Sequence, residues 1–299
     1  MLVKREFSAL FLAGLVAAGA TARDIAVIGR LDWENMRIDM ELRVPVARAE
    51  TSPPSGRLRA EEALFSSYLD AARPFIHSVR LDSSGELGSL VASGGLPASL
   101  ADTLALQAER KSPAYSSDFG YISSSFTIDL KNTSAELMKL GQATRGQIRQ
   151  PPRLIDPLPV AAYTGIIVIA DGKLPVHGKK TFAELSPCLF PKIWDTEMNL
   201  IYDKNMAAEW GTDFAMARYS ALDSVFQNNP SGLSDEIRKV VGVKPLRVIA
   251  REVFGINPTD PVIDRADALT ILSSEANRRL LNEGRVVFIV PEDVLVAEF

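Results

Sequence analysis

From Arg37 to Val46 apolar and polar positions alternate strictly, with Ile38, Met40, Leu42, Val44 and Val46 on one side, which predicts a strand with one buried face. Asp24–Ile28 gives a shorter strand signal before it, and Phe119–Leu130 a longer one after it, with Ile122, Phe126, Ile128 and Leu130 in phase. The serines Ser123–Ser125 are expected on a solvent-side strand surface. Between these strands, Leu58, Phe65, Tyr68, Leu69, Ala72, Ile76 and Val79 recur at helical spacing, widened by Leu64 and Phe75. Pro74 inside that stripe predicts a kink or a division into two pieces. Leu96–Lys111 and Ser134–Leu140 are read as further helices.

The pattern changes after Gly141. Residues 141–159 are rich in proline and have no sustained period, so they read as a connection between domains. Tyr163–Ala170 is then a continuous apolar run with the length of a buried strand, closed by Asp171-Gly172. Lys192–Trp194 and Leu200–Tyr202 flank a polar stretch short enough for a hairpin loop. Pro245–Phe254 reads as a strand, Gly255–Pro261 as a loop, and Ala268–Leu281 as one helix capped by Asp264 and stopped at Gly284. Arg285–Val290 closes the pattern as a buried strand. The expected fold class is α+β: two small mixed domains, residues 23–140 and 160–299, joined by the linker 141–159. Each is expected to hold a short, mostly antiparallel sheet packed by one or two amphipathic helices.

Composition adds an address. Lys4-Arg5, the apolar run Phe7–Ala20 and the Ala20-Thr21-Ala22 cleavage pattern together predict a secretory signal peptide over residues 1–22. No later run is long and apolar enough to span a bilayer. The net charge of −4, with 23% charged residues, gives no electrostatic footprint for nucleic acid. The single cysteine, Cys188, has no internal partner for a disulfide and fits a small buried hydrophobe between Pro187 and Leu189, with a reactive thiol or an intermolecular bridge as the alternative.

Candidate chemistry is sparse. The chain contains no nucleophile elbow, phosphate-binding loop, dinucleotide fingerprint or zinc-binding helix motif, so no catalytic, cofactor or metal residues are assigned. Three positions stand out as ligand or contact residues: Asp171 at a strand end, His177 in a glycine- and lysine-bearing loop, and Asp195 at the start of the hairpin loop. Each has a plain structural alternative. Asp171-Gly172 makes a turn, a loop histidine is normally solvated, and Asp195 with Glu197 lacks the fixed, buried geometry of an acid–base pair.

Tyr163–Val168, Pro187–Asp195, Ile201-Tyr202 and Asn282–Phe288 together resemble a group of exported proteins from spirochaetes and other diderm bacteria, related to envelope lipoproteins that include the flagellar protein FlgP. The resemblance is clearest over residues 160–290. It implies an α+β domain, a periplasmic or envelope setting and a role in assembly, without catalysis. Where that group commonly runs into an Asp-x-Arg-Gly turn, this chain has Ala170-Asp171-Gly172, without the arginine, and no cysteine follows the cleavage site to carry a lipid. The expectation is therefore an exported, non-catalytic protein of the periplasm or outer-membrane periphery. It would bind an envelope protein or a second copy of itself, in an envelope or motility assembly. Apolar residues at the sheet edges and the loops Gly172–Pro187 and Asp203–Asp213 would supply the contact. The alternative is a small-ligand-binding protein or hydrolase with a site near Asp171.

Overall fold

A computed structural model describes residues 25–46, 55–142, 151–154, 160–207, 215–225 and 232–299. The expected signal peptide and most of the expected linker lie outside these residues.

The first half is built on an antiparallel sheet. Strands β1 (Ala26–Asp32) and β2 (Arg37–Pro45) form a hairpin in full register, and β2 pairs along its whole length with β7 (Tyr121–Asp129). The strict alternation decides which way the sheet faces. Ile38, Met40, Leu42 and Val44 of β2 and Ile122, Phe126 and Ile128 of β7 are buried, beneath the helix α1 (Ser55–His77). Ser123 and Ser125 fall on the outer face as expected, whereas Ser124 points inward and donates to the Lys111 carbonyl at 2.6 Å. The helix α1 runs unbroken through Pro74, so the expected division into two pieces does not occur. The proline withholds the N–H that would bond the Asp70 carbonyl, but its own carbonyl still accepts from the Ser78 N–H at 3.0 Å as the helix ends.

The rest of this half consists of the small hairpin β3 (Arg80–Asp82)–β4 (Gly85–Glu86), helices α2 (Leu87–Ala92) and α3 (Leu100–Leu106), short strands β5 (Glu109–Arg110) and β6 (Ala114–Tyr115), and α4 (Leu130–Gln142). Asp129 starts α4 earlier than expected, because its carboxylate accepts from the Lys131 and Asn132 backbone N–H groups.

The second half contains β8 (Ile166–Ile169), the hairpin β9 (Leu174–Pro175)–β10 (Phe182–Ala183), the hairpin β11 (Ile193–Asp195)–β12 (Leu200–Tyr202), and β13 (Arg218–Ser220). Helices α5 (Leu222–Val225) and α6 (Asp235–Val241) lead into β14 (Leu246–Phe254) and β15 (Asp260–Ile263). Then come α7 (Arg265–Leu272), α8 (Glu275–Asn282) and β16 (Val286–Ile289). The single helix expected over 268–281 is two, because Ser274 takes an extended conformation and caps the second.

The main sheet here has the order β12-β11-β15-β14-β8-β16-β13. The α+β, two-domain architecture holds, and mostly antiparallel pairing holds for the first sheet. It needs correction for the second, in which β8 is parallel to both β14 and β16, β13 to β16, and β11 to β15. The reason lies in the unbroken apolar runs Ile166–Ile169 and Val286–Ile289. Strands apolar on both sides belong in the middle of a sheet covered on both faces, and the helices before β14 and β16 supply the long crossovers that parallel neighbours need. One face joins the main core, and the other packs Ile167, Val287 and Ile289 against Val225, Leu233, Ile237 and Val241.

The chain then returns to its start. After β16, strand β17 (Val296–Glu298) pairs antiparallel with β1, at the edge of the first sheet. A single buried cluster runs through both halves, from Leu31 and Trp33 to Tyr219 and Phe288.

Candidate functional site

Asp195 ends β11 with its side chain fully buried. Its Oδ1 accepts the Asn199 and Glu197 backbone N–H groups at 2.8 and 3.0 Å, and the Asn199 amide also donates to both oxygens. Arg265, the first residue of α7, reaches Oδ2 at 2.5 Å. Burial pushes the carboxyl up, but the Asn199 donors, the Arg265 guanidinium and the Glu197 N–H outweigh it and hold the group below its ordinary value. With its acceptor positions occupied by internal donors, Asp195 organises the hairpin turn and docks α7. It does not present a base to solvent.

His177 lies at the tip of the β9–β10 hairpin. The hairpin closes through Val176 N–H to the Thr181 carbonyl, and it docks on β14 through His177 N–H to the Val253 carbonyl. The ring Nδ1 contacts Glu252 Oε2 at 2.5 Å. Its ring also packs edge-on to Phe254, which meets Trp194 in turn, with centroid separations of 5.9 and 5.6 Å. Asp171 is exposed just beyond β8, and Gly172 follows at φ +90°, so this pair makes a turn. Phe182 on β10, 68% exposed, and Ile256 in the β14–β15 turn, 80% exposed, stand out on the surface of this region. Ser186 N–H to the Pro258 carbonyl ties the chain leaving the hairpin to that turn.

A second densely bonded carboxylate is Asp260, which sequence reasoning missed. It is fully buried where the two halves meet. Its carboxylate accepts from Thr259 Oγ1 at 2.9 Å, from the Lys192 N–H at 3.2 Å and more weakly from Trp194 Nε1 at 3.4 Å, with Ser83 of the β3–β4 hairpin as a further partner. Burial is the largest influence and pushes the carboxyl up. Around it, Leu189 and Phe190 N–H groups donate to the Arg80 and Leu81 carbonyls, and Asn257 N–H to that of Ser83. Gly255, at φ +118°, lets the β14–β15 turn close on Ser83, whose Cβ lies 2.4 Å from where a Gly255 Cβ would stand. Nearby, Tyr219 donates to the Cys188 carbonyl at 2.9 Å and meets Trp33 of the β1–β2 turn edge-on. Burial pushes the Cys188 thiol well up, which makes it a packing residue and not a reactive one.

Both halves of the chain match domains of Treponema pallidum Tp0624. The N-terminal domain of that protein matches residues 24–136, and its second domain matches residues 165–292. No curated protein matches the chain. The Asp260 seam joins the two matched regions, with Ser83 and Arg80 from the first and Pro187–Lys192 and Asp260 from the second. Strand β17 lies beyond the second-domain match and adds to the sheet of the N-terminal one.

The three sequence candidates do not form one centre. Asp195 is on β11, and two strand spacings, about 10 Å, separate β11 from β14, along which His177 docks. Asp171 follows β8, the neighbour of β14 on the side away from β11. Of the two expected contact loops, Gly172–Pro187 is described throughout, whereas residues 208–213 of Asp203–Asp213 lie outside the described residues. Phe182 and Ile256 carried no periodic signal, because a lone aromatic or aliphatic residue in a short strand or turn has no pattern around it.

Proposed function

We propose that this is an exported, non-catalytic protein of the periplasm or outer-membrane periphery that works by binding another envelope protein. The β9–β10 hairpin and the β14–β15 turn make the contact. The observation that carries this reading is a contrast within one region. Asp195 and His177, which chemistry would need free, are engaged by Arg265 and Glu252, while Phe182 and Ile256 are spent on no core and stand on elements fixed by backbone hydrogen bonds. An exposed apolar pair on a rigid support is suited to a partner's pocket. The leader pattern Lys4–Ala22 supports export, and the resemblance to FlgP-related envelope proteins supports a place in an envelope or motility assembly.

The test is affinity capture of the tagged, exported protein, comparing wild type with the double variant Phe182→Ser, Ile256→Ser. Both side chains are exposed, so the variant folds normally. The reading expects one envelope component, or a second copy of the chain, to be recovered with wild type and reduced at least tenfold with the variant. Equal recovery with both overturns it.

A further inference from the structure

The end of the first sheet where β1 begins, β2 finishes and β6 turns into β7 carries a second group of exposed apolar side chains. At its apex is Phe119, 61% exposed and held at φ +56°, a conformation that costs a residue with a Cβ and that an aromatic seldom adopts without cause. The turn around it is firmly built. Phe119 N–H donates to the Ser116 carbonyl, Ser116 N–H to the Tyr121 carbonyl, and Val46 N–H to the Gly120 carbonyl. Asp118 accepts from the Ser116 hydroxyl at 2.6 Å and from the Gly120 N–H at 3.1 Å, and these bonds hold its carboxyl below the usual range.

Behind the apex stand two tyrosines. Tyr115 lies 6.1 Å from the Phe119 ring, and Tyr121 carries the Arg43 guanidinium 5.6 Å over its face. Ile25, at the start of β1, is exposed at the same end of the sheet, since Ala26 pairs with Arg43 and Tyr121 with Pro45. The side chains thus grade from a purely apolar apex to the polar-tipped ring of Tyr121 with a cation behind it, while Tyr115, its hydroxyl buried, backs the apex ring from inside. Side chains at a membrane–water interface are arranged in this way.

We propose that this end of the first sheet is a lipid-contact surface: Phe119 enters the interfacial region of a phospholipid bilayer, and Tyr121 and Ile25 lie at the level of the headgroups. The sequence that precedes the described residues favours lipid over a protein pocket. The apolar run Phe7–Ala20 is separated from Ile25 by only Thr21–Asp24, so until the expected cleavage after Ala22 a leader in the membrane keeps Ile25 within a few residues of the bilayer. The projecting tip also fits a deformable surface without a shaped cavity. With Asp118 ionised beside the apex, an anionic headgroup gains nothing here, which makes a zwitterionic bilayer the expected surface. The proposal rests in part on the export reading, but it concerns a different surface from the Phe182 contact, and the two fail separately.

The experiment is flotation of the purified exported protein with phosphatidylcholine vesicles, for wild type, Phe119→Gly and Phe119→Trp. Glycine accepts the positive φ, so Phe119→Gly folds at least as well as wild type and isolates the loss of the ring. The proposal expects wild type to float, Phe119→Gly to partition about tenfold less, and Phe119→Trp to float with tryptophan emission shifted to the blue and quenched by brominated lipid. It is overturned if wild type stays in the dense fraction, if Phe119→Gly floats equally, or if the Phe119→Trp emission ignores vesicles. Loss of a captured protein partner in Phe119→Gly with flotation unchanged would likewise overturn it, in favour of a protein contact.

Discussion

Single residues in this protein show how a chemically suggestive side chain can be absorbed by structure. Asp195 has the burial of a catalytic carboxylate, but every donor around it belongs to its own turn or to Arg265. Replacing it with alanine strands those donors and should cost about 2–4 kcal/mol in denaturant unfolding. The pH dependence follows from the direction of its shift. A carboxyl held below its unfolded value of about 3.9 contributes stability above that pH, and the contribution disappears as pH falls through the folded value. The stability gap between wild type and Asp195→Asn should therefore be constant from pH 7 to 5 and close below pH 4. A gap that persists unchanged at pH 2.5 would show that the charge is not what the turn uses. The residue was legible in sequence as a hairpin carboxylate. Its partner was not, because Arg265 is far away in sequence and carries no pattern of its own.

Elements were legible in proportion to their periodicity. β2, with nine residues of strict alternation, β7, which alternates except at the inward Ser124, and α1, with its long apolar stripe, could be read directly. Among the short strands, β8, β11, β12 and β16 were legible from apolar runs or hairpin flanks, but β15 began inside an expected loop, because Pro261 interrupts it and nothing in four residues alternates. β17 was invisible for a different reason. Its partner is β1, at the opposite end of the sequence, and local composition says nothing about long-range pairing. The pairing makes this strand a clasp, helped by Phe299 N–H to the Gly29 carbonyl and by the edge-on contact of Phe299 with Phe75. Removing residues 296–299 should cost roughly 2–3 kcal/mol and speed hydrogen exchange at the β1 amides, most of all at Arg30–Asp32. Unchanged exchange there would mean that the edge of β1 is stable without the clasp.

For the molecule as a whole, the two domains are bound by the β3–β4 hairpin, the Trp33–Tyr219 contact and the return of β17. These contacts share one buried cluster. Parallel pairing in the second sheet was recoverable in principle from the unbroken apolar runs of β8 and β16, whereas the seam around Asp260 was not, since it brings together Ser83, Lys192, Trp194 and Asp260 from distant segments. Such a body offers a rigid platform on which the exposed hairpin of the second half meets a partner. The most direct test of that claim is in-cell photocrosslinking from a reactive residue placed at Phe182, with Leu58 on the exposed side of α1 as control. The account predicts a discrete crosslinked species from position 182, containing an envelope protein or a second copy of the chain, and none from position 58. Equal, diffuse crosslinking from both positions, or none from position 182, would contradict it.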